Sequence, residues 1–185
     1  MKLVVADFVV SILWVVAGAL VRVVTQFDVL QLKRNGDLVK LALTAAAMFM
    51  FTWIGKLTNG ATYNPITVLL NSLGAKPLPF FTLAVRILAQ ALGSLVGVMC
   101  VNILMPRGVQ GGPLLKVGVK NGMITEGILT FTIVMVALMV NTRGPKGFFL
   151  KTWIVTLSKL CLSILGADFT GPAMNPATVS MFPIL

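Results

Sequence analysis

The sequence predicts an all-α membrane protein, in which two halves of similar sequence form one helical bundle. Three observations predict this class. Hydrophobic residues make up 57% of the 185 residues and charged residues only 11%, whereas a soluble domain normally has about 25% charged residues. Five apolar stretches are long enough to cross a bilayer. Finally, a short motif that begins with Asn-Pro and ends with Thr-Val occurs twice.

The five apolar stretches approach or exceed the length of about 20 residues that a helix needs to cross the hydrocarbon core. They cover residues 3–25, 38–57, 79–105, 121–141 and 148–166. The segments between them contain Gly, Pro and most of the charge, as expected of loops. The first stretch contains Asp7 and has no clear cleavage site of small residues. We therefore expect it to be retained as a span rather than removed as a signal peptide.

The repeated motif begins two shorter apolar segments. Asn64 and Asn175 each precede a proline, and because Asn is a favoured N-cap and Pro a favoured first helical residue, each copy predicts the start of a helix. About nine apolar residues follow in each case (66–74 and 177–185), or roughly 14 Å of helix, which is half of the hydrocarbon core. A helix that ends in lipid exposes polar backbone groups. We therefore expect both half-helices to be buried in protein or to line a water-filled cavity.

The acidic residues suggest an internal repeat. Asp7 lies near the start of the first span and Glu126 near the start of the fourth, and their separation is similar to that between the two Asn-Pro motifs. This spacing indicates a single domain with two homologous halves, residues 1–110 and 111–185. With an odd number of spans in each half, the second half is inverted relative to the first. The N-termini of the half-helices would then face each other near the middle of the membrane.

The composition excludes several functional classes. There is no His and there are only five acidic residues, so few general acids or bases are available and we expect no enzymatic activity. Cys100 and Cys161 have neither metal-ligand nor disulfide spacing, and we expect no metal or cofactor. The net charge is +10, but the cations occur singly between apolar runs. We expect them to contact anionic lipid headgroups rather than nucleic acid.

Two further groups of residues inside the spans carry predictions. The cations of Arg22, Arg86 and Lys159 are expected to extend toward the headgroups. Gly93 and Gly97 form a pair of small residues four positions apart, which predicts close packing of one helix against another.

These motifs together resemble the aquaporin, or major intrinsic protein, superfamily. The resemblance rests on the two Asn-Pro boxes, the acids in the first and fourth spans and the segment TEGILTF. The segment KTWIVTLSKLCLSILGADFTGPAMNPATV and the altered first box YNPITVL are most similar to the plant small basic intrinsic proteins. The resemblance covers essentially the whole chain and implies an aquaporin-like inverted-repeat bundle with two re-entrant half-helices and six spans. The sixth span is absent from this sequence, which ends at Leu185, so we expect a fragment, an incomplete gene model or an alternatively spliced product.

The resemblance implies a channel that passes water or small neutral solutes. The two boxes would line its pore through Asn64, Pro65, Ile66, Asn175, Pro176 and Ala177. The asparagine amides would donate hydrogen bonds to a passing water, and the positive N-termini of the half-helices would repel protons. A tetramer, formed with identical or related chains, and a location in the endoplasmic reticulum membrane are also implied. A second function stays open, that of a truncated, non-conducting subunit that alters the assembly or trafficking of full-length relatives.

A second constriction of the pore is implied by spacing relative to the boxes. Its four positions are Thr44, Ser163, Pro172 and Thr178. Water-selective members of the family usually have an aromatic residue, a His, a small residue and an Arg at these places. This sequence has no aromatic residue, His or Arg there, so the ring would be wider and less positive. An unusual solute range or a slow water pore would follow, and Ile66 would either narrow the waist or pack against a neighbour.

The two intramembrane acids need partners, because an unpaired carboxylate is costly in lipid. The resemblance implies that Asp7 and Glu126 accept hydrogen bonds from the loops that lead into the half-helices. A role in proton relay is the alternative.

Overall fold

The computed structural model describes residues 1–27, 36–72, 78–105, 115–171 and 174–179. All regular secondary structure in these residues is α-helical, as the sequence predicts. The helices are α1 (Lys2–Gln26), α2 (Gly36–Leu57), α3 (Pro65–Ser72), α4 (Phe80–Leu104), α5 (Val119–Thr142), α6 (Phe148–Leu165) and α7 (Pro176–Val179).

Five of these helices confirm the predicted membrane spans. Helices α1, α2, α4, α5 and α6 are 18 to 25 residues long and apolar enough to cross a membrane. The two half-helices also begin where the Asn-Pro motifs predict, at Pro65 and at Pro176. Residues 180–185, which complete the predicted second half-helix, lie outside the described residues.

The helices form two compact units. The first contains α1 to α4 together with α7, and the second contains α5 and α6.

Close packing of α1 against α4 organises the first unit. A Cβ atom added to Gly93 would collide with the carbonyl oxygen of Phe8, and one added to Gly97 would lie 3.1 Å from that of Ile12. The two helices therefore run in the same direction, and the small-residue prediction for Gly93 and Gly97 is confirmed. Further along the interface, apolar side chains form a buried cluster of Val15, Ala19, Val98 and Val101.

In the second unit, the chain turns back after α6. The backbone N–H of Thr170 donates to the carbonyl of Gly166 (3.0 Å), and the N–H of Lys116 donates to the carbonyl of Phe169 (2.9 Å). These bonds hold the segment after α6 against the start of α5, the helix that carries Glu126.

Candidate functional site

The loop before the first Asn-Pro box begins with a tight reversal at the end of α2. Asn59 and Gly60 both have positive φ angles, of 57° and 112°. The N–H of Gly60 donates to the carbonyl of Gly55 at 2.8 Å, which closes the C-terminus of the helix. Asn tolerates the left-handed region and Gly adopts it without steric penalty, so the sequence Asn59-Gly60 is suited to this turn. The reversal directs residues 61–64 back into the first unit.

Both asparagines cap their half-helices through the side-chain oxygen. Asn64 Oδ1 accepts the backbone N–H of Ile66 at 3.0 Å, and Asn175 Oδ1 accepts that of Ala177 at 3.1 Å. With Oδ1 engaged by the helix, the amide nitrogen of each side chain is directed away from that bond. The N-cap role that the Asn-Pro pattern predicts therefore also orients the amide donor.

A hydrogen bond connects the two boxes within the first unit. Asn175 is almost fully buried, and its Nδ2 donates to the carbonyl of Tyr63 at 3.1 Å. Because Tyr63 immediately precedes Asn64, this bond ties the start of one half-helix to the start of the other. The described parts of α3 and α7 also contact each other, and both contact α4.

A buried ion pair supports the loop of the first box. Asp7 is fully buried, and its carboxylate accepts hydrogen bonds from Nε and Nη2 of Arg86 at 2.6 and 3.0 Å. The Oδ1 atom also accepts the backbone N–H of Thr62 at 2.8 Å. Arg86 donates in turn to the carbonyl of Gly60 at 2.6 Å. The carboxylate and the guanidinium therefore both bond directly to the loop.

The prediction that Arg86 extends toward the headgroups is wrong. The side chain is 4% exposed and paired with Asp7. Pairing prevails because a charge inside the bundle is stabilised by a nearby opposite charge and hydrogen bonds.

Gln90 holds the same loop from the next turn of α4. It is fully buried, and its Nε2 donates to the carbonyl of Thr62 at 2.9 Å. Asp7 therefore accepts the N–H of Thr62, and Gln90 donates to the carbonyl of the same residue. The Oγ1 atom of Thr62 also accepts the N–H of Asn64 at 3.3 Å, which links this anchored residue to the box.

Aromatic packing holds the residue between the anchored loop and the box. The ring of Tyr63 stacks on that of Trp14, with centroids 3.9 Å apart and an interplanar angle of 12°. Phe51 packs edge-on against both rings. Helices α1 and α2 therefore position Tyr63, whose carbonyl meets Asn175.

The second intramembrane acid has a simpler environment. Glu126 Oε1 accepts a hydrogen bond of 2.7 Å from the hydroxyl of Thr170, which lies in the segment after α6. This segment leads toward the second box, so the contact is of the kind that the family resemblance implies. Among the described residues, no group of three His, Cys, Asp or Glu side chains could hold a metal ion.

The predicted second constriction remains a prediction. Thr44 lies on α2 and donates to the carbonyl of Lys40, while Ser163 lies on α6 and donates to that of Lys159. Pro172 lies outside the described residues, and Thr178 is described only as part of α7.

Sequence reasoning missed the anchoring roles of Arg86, Gln90, Trp14 and Tyr63. One signal could have identified the first two. Arg86, Gln90 and Gly97 recur at helical spacing, which places two polar residues on the face that a glycine brings close to another helix.

Comparisons with known proteins agree with the fold and with the family that the sequence resembles. The sequence model of the major intrinsic protein family matches residues 1–183. Aquaporin SIP2-1 of Oryza sativa subsp. japonica is 42% identical over 181 residues, which cover 95% of this chain and 72% of that protein. Probable aquaporin SIP2-1 of Arabidopsis thaliana is 39% identical, over 96% of this chain and 76% of that protein.

A solved structure supports the fold independently. The X-ray structure of the aquaglyceroporin from Plasmodium falciparum superposes with a TM-score of 0.66 at 21% identity, over 99% of this chain and 79% of that one. The relatives are small basic intrinsic proteins, as the altered first box indicates. The family consists of multi-pass membrane channels and not of enzymes. With five apolar helices among the described residues and a family match over nearly its whole length, this chain belongs to the major intrinsic protein family.

Proposed function

We propose that this chain passes water or small neutral solutes through a pore at which its two Asn-Pro boxes meet. The observation that carries the proposal is the hydrogen bond from Asn175 to the carbonyl of Tyr63. It joins the starts of the two half-helices, so that both asparagines can act on the same permeating molecule.

The orientation of the amides supports a role in water passage. The Oδ1 atom of each asparagine accepts a helix N–H, which directs the amide nitrogen away from the helix. Asn175 Nδ2 carries two hydrogens, and one of them is donated to Tyr63. We propose that the other is offered to a passing water and that Asn64 supplies the matching donor. A water that accepts both bonds turns its own hydrogens outward, which interrupts a chain of proton transfer.

The half-helix termini add an electrostatic barrier in this proposal. The N-terminus of a helix carries a partial positive charge, which is only weakly screened where water is scarce. The prolines at Pro65 and Pro176 fix the first turn of each half-helix, while Ile66 and Ala177 pack beside them. Protons and other cations would be repelled at this point, whereas neutral solutes would pass.

The remaining parts of the proposal concern selectivity and support. Asp7 and Glu126 hold the loops that lead into the boxes. The family resemblance implies a second constriction at Thr44, Ser163, Pro172 and Thr178, which we include in the proposal. Because none of these four residues is aromatic or charged, the ring would reject solutes mainly by size. The chain would act as one domain with two halves, 1–110 and 111–185, in a tetramer in the endoplasmic reticulum membrane.

A swelling assay in proteoliposomes tests the proposal. We expect the full chain to raise the rate of osmotic swelling above that of empty vesicles, and Asn175→Asp to abolish the increase, because it removes the amide donor and adds a negative charge. The matched control is Asn121→Asp, which adds the same charge at an exposed position in the first turn of α5. This control should swell like the unmodified chain.

The outcomes separate the candidate functions. Swelling that persists in Asn175→Asp would contradict the proposed role of the box. No swelling by the unmodified chain, together with co-purification of a full-length relative, would favour the non-conducting subunit. Repeating the assay with gradients of glycerol and urea distinguishes a wide solute range from a slow water pore.

A further inference from the structure

Arg86 lies where the ion pair of the first unit meets the loop of the first box. We propose that Arg86 is the positioning residue of this box, because it joins Asp7 to the backbone of the loop and so fixes where Asn64 lies. The inference rests on the proposed function, since it concerns the placement of a pore asparagine.

The guanidinium contacts two structural elements at once. Its Nε and Nη2 atoms donate to the two carboxylate oxygens of Asp7 on α1, and Nη2 also donates to the carbonyl of Gly60 in the loop. A planar fork of N–H groups suits the paired bonds to a carboxylate, and its remaining hydrogens stay available for a carbonyl. The ammonium of a lysine is a compact charge on a flexible stem, so it would not reproduce all three bonds together.

The backbone conformation of Gly60 allows its carbonyl to accept a hydrogen bond from Arg86. Gly60 has a φ of 112°, which residues with a Cβ atom rarely adopt. In this conformation its carbonyl faces the guanidinium at 2.6 Å. The glycine and the arginine therefore form one anchoring point, at the reversal between α2 and the first half-helix.

The ion pair holds the loop on both sides of Ala61. Arg86 binds the carbonyl of Gly60, and Asp7 binds the N–H of Thr62 at 2.8 Å. Two adjacent peptide groups are thus bonded to a single buried pair. Asn64 follows two residues later and is linked to Thr62 by its own N–H. Any shift of the guanidinium would therefore be passed to the asparagine through a very short chain segment.

The aromatic stack offers a measurement that does not depend on conduction. Tyr63 lies between the anchored peptide groups and Asn64, and it stacks on Trp14 at 3.9 Å. In a background with Trp53→Phe and Trp153→Phe, Trp14 is the remaining tryptophan of the chain. Its emission and its near-ultraviolet circular dichroism then report the position of the loop.

The test compares Arg86→Lys with matched controls. We expect Arg86→Lys in the full chain to change the Trp14 signal and to lower the swelling rate about tenfold, the ratio that corresponds to one lost hydrogen bond from a charged group. Ser94→Ala removes a buried hydroxyl, two turns further along α4, that has no hydrogen-bond partner among the described residues. Arg143→Lys makes the same exchange at an exposed helix end. Neither control should change the signal or the rate.

A double variant separates positioning from stability. Arg86→Gln alone leaves Asp7 buried without its counter-charge, so we expect it to unfold more easily. Adding Asp7→Asn removes that charge and should restore the unfolding temperature. Because no side chain then bridges Gly60 to α1, the altered Trp14 signal and the slow swelling should persist. A merely structural role predicts that all three measurements recover together.

The results distinguish this inference from the proposed function. If the unmodified chain swells but Arg86→Lys matches the two controls in Trp14 signal and rate, the inference is overturned and the channel stands. If the unmodified chain does not swell but Arg86→Lys alone changes the Trp14 signal, positioning by Arg86 stands and conduction fails. Recovery of the Trp14 signal in the double variant would also overturn the inference.

Discussion

Asp7 and Glu126 occupy similar places in the two halves of the sequence, yet the structure supports them in different ways. Asp7 is fully buried and accepts bonds from the guanidinium of Arg86 and from the N–H of Thr62. Glu126 is half-buried, and its partner among the described residues is the neutral hydroxyl of Thr170, from which it accepts one bond. The carboxylate of Asp7 is therefore part of a charged network, whereas the described partner of Glu126 is an uncharged hydroxyl.

The difference teaches that a similar position in the sequence does not determine which group an acid bonds to. An acid in an apolar helix needs a donor, but a cation, a hydroxyl and a backbone N–H all meet that need. The first half uses a cation from α4, whereas the second uses a threonine from the segment after α6. The two loops should therefore differ in how strongly they resist substitution.

Helix packing also differs beside the two acids, and it is tighter beside Asp7 than beside Glu126. The glycines of α4 lie against the backbone of α1, and an added Cβ at Gly93 would collide with the carbonyl of Phe8. At Gly127, which follows the second acid, no atom of the described residues lies within 4 Å of such a Cβ. The first unit therefore depends on a tight helix contact beside its acid, whereas none of the described residues makes such a contact with α5 at Gly127.

The largest difference in stability should appear when each acid is replaced by the amide of the same shape. We expect Asp7→Asn to lower the free energy of unfolding by about 3–5 kcal/mol, because it leaves the guanidinium of Arg86 buried without a counter-charge. Chemical unfolding in detergent, followed by circular dichroism, measures this change.

The matched variant for this comparison is Glu126→Gln, which makes the same exchange where no cation is bonded to the acid in the described structure. It should lose far less stability than Asp7→Asn. Equal losses in the two variants would contradict the assignment of a charged support to the first half alone.

Packing should give the next largest difference. We expect Gly93→Ala to destabilise the protein by about 1–3 kcal/mol, because the added methyl group forces α1 away from α4. Gly127→Ala should instead stabilise it by about 0.5–1 kcal/mol, because alanine is the better helix former and no atom of the described residues lies where its methyl group would be. Paired unfolding curves measure both values, and a similar loss in both variants would show that the close contact at Gly93 is not what stabilises the first unit.

The sequence was sufficient to predict the elements whose signals are local. Length and hydropathy identified five spans, and the N-cap preference of Asn placed the starts of α3 and α7 at Pro65 and Pro176. The spacing of Gly93 and Gly97 predicted a close helix contact, although not which helix provides it. These predictions succeeded because each depends on residues within a few turns of one another.

The partners across helices could not be predicted in the same way. An arginine near the end of an apolar span has the same local sequence whether it reaches the headgroups or pairs with an acid. The outcome depends on the tertiary fold, which brings together Asp7 on α1 and Arg86 on α4 although they are 79 positions apart in the sequence. The stacking of Tyr63 on Trp14 depends on the same tertiary arrangement. The ring of Thr44, Ser163, Pro172 and Thr178 stays a prediction for a related reason, since it combines positions from distant elements.

The smallest expected effect concerns the hydrogen bond of the second half. We expect Thr170→Val to lower the free energy of unfolding by about 0.6 kcal/mol, the average for a side-chain hydrogen bond between membrane helices. The coupling energy between Thr170→Val and Glu126→Gln should have a similar size, because the two groups bond to each other. A double-mutant cycle on unfolding curves measures it.

Thr125→Val is the matched control for this cycle, since the Thr125 hydroxyl donates to the carbonyl of Asn121 within its own helix. We expect no coupling between Thr125→Val and Glu126→Gln beyond about 0.3–0.5 kcal/mol, the usual additivity error. A coupling of several kcal/mol between Thr170 and Glu126 would contradict the comparison, because it would give the second acid an environment as strongly bonded as that of Asp7.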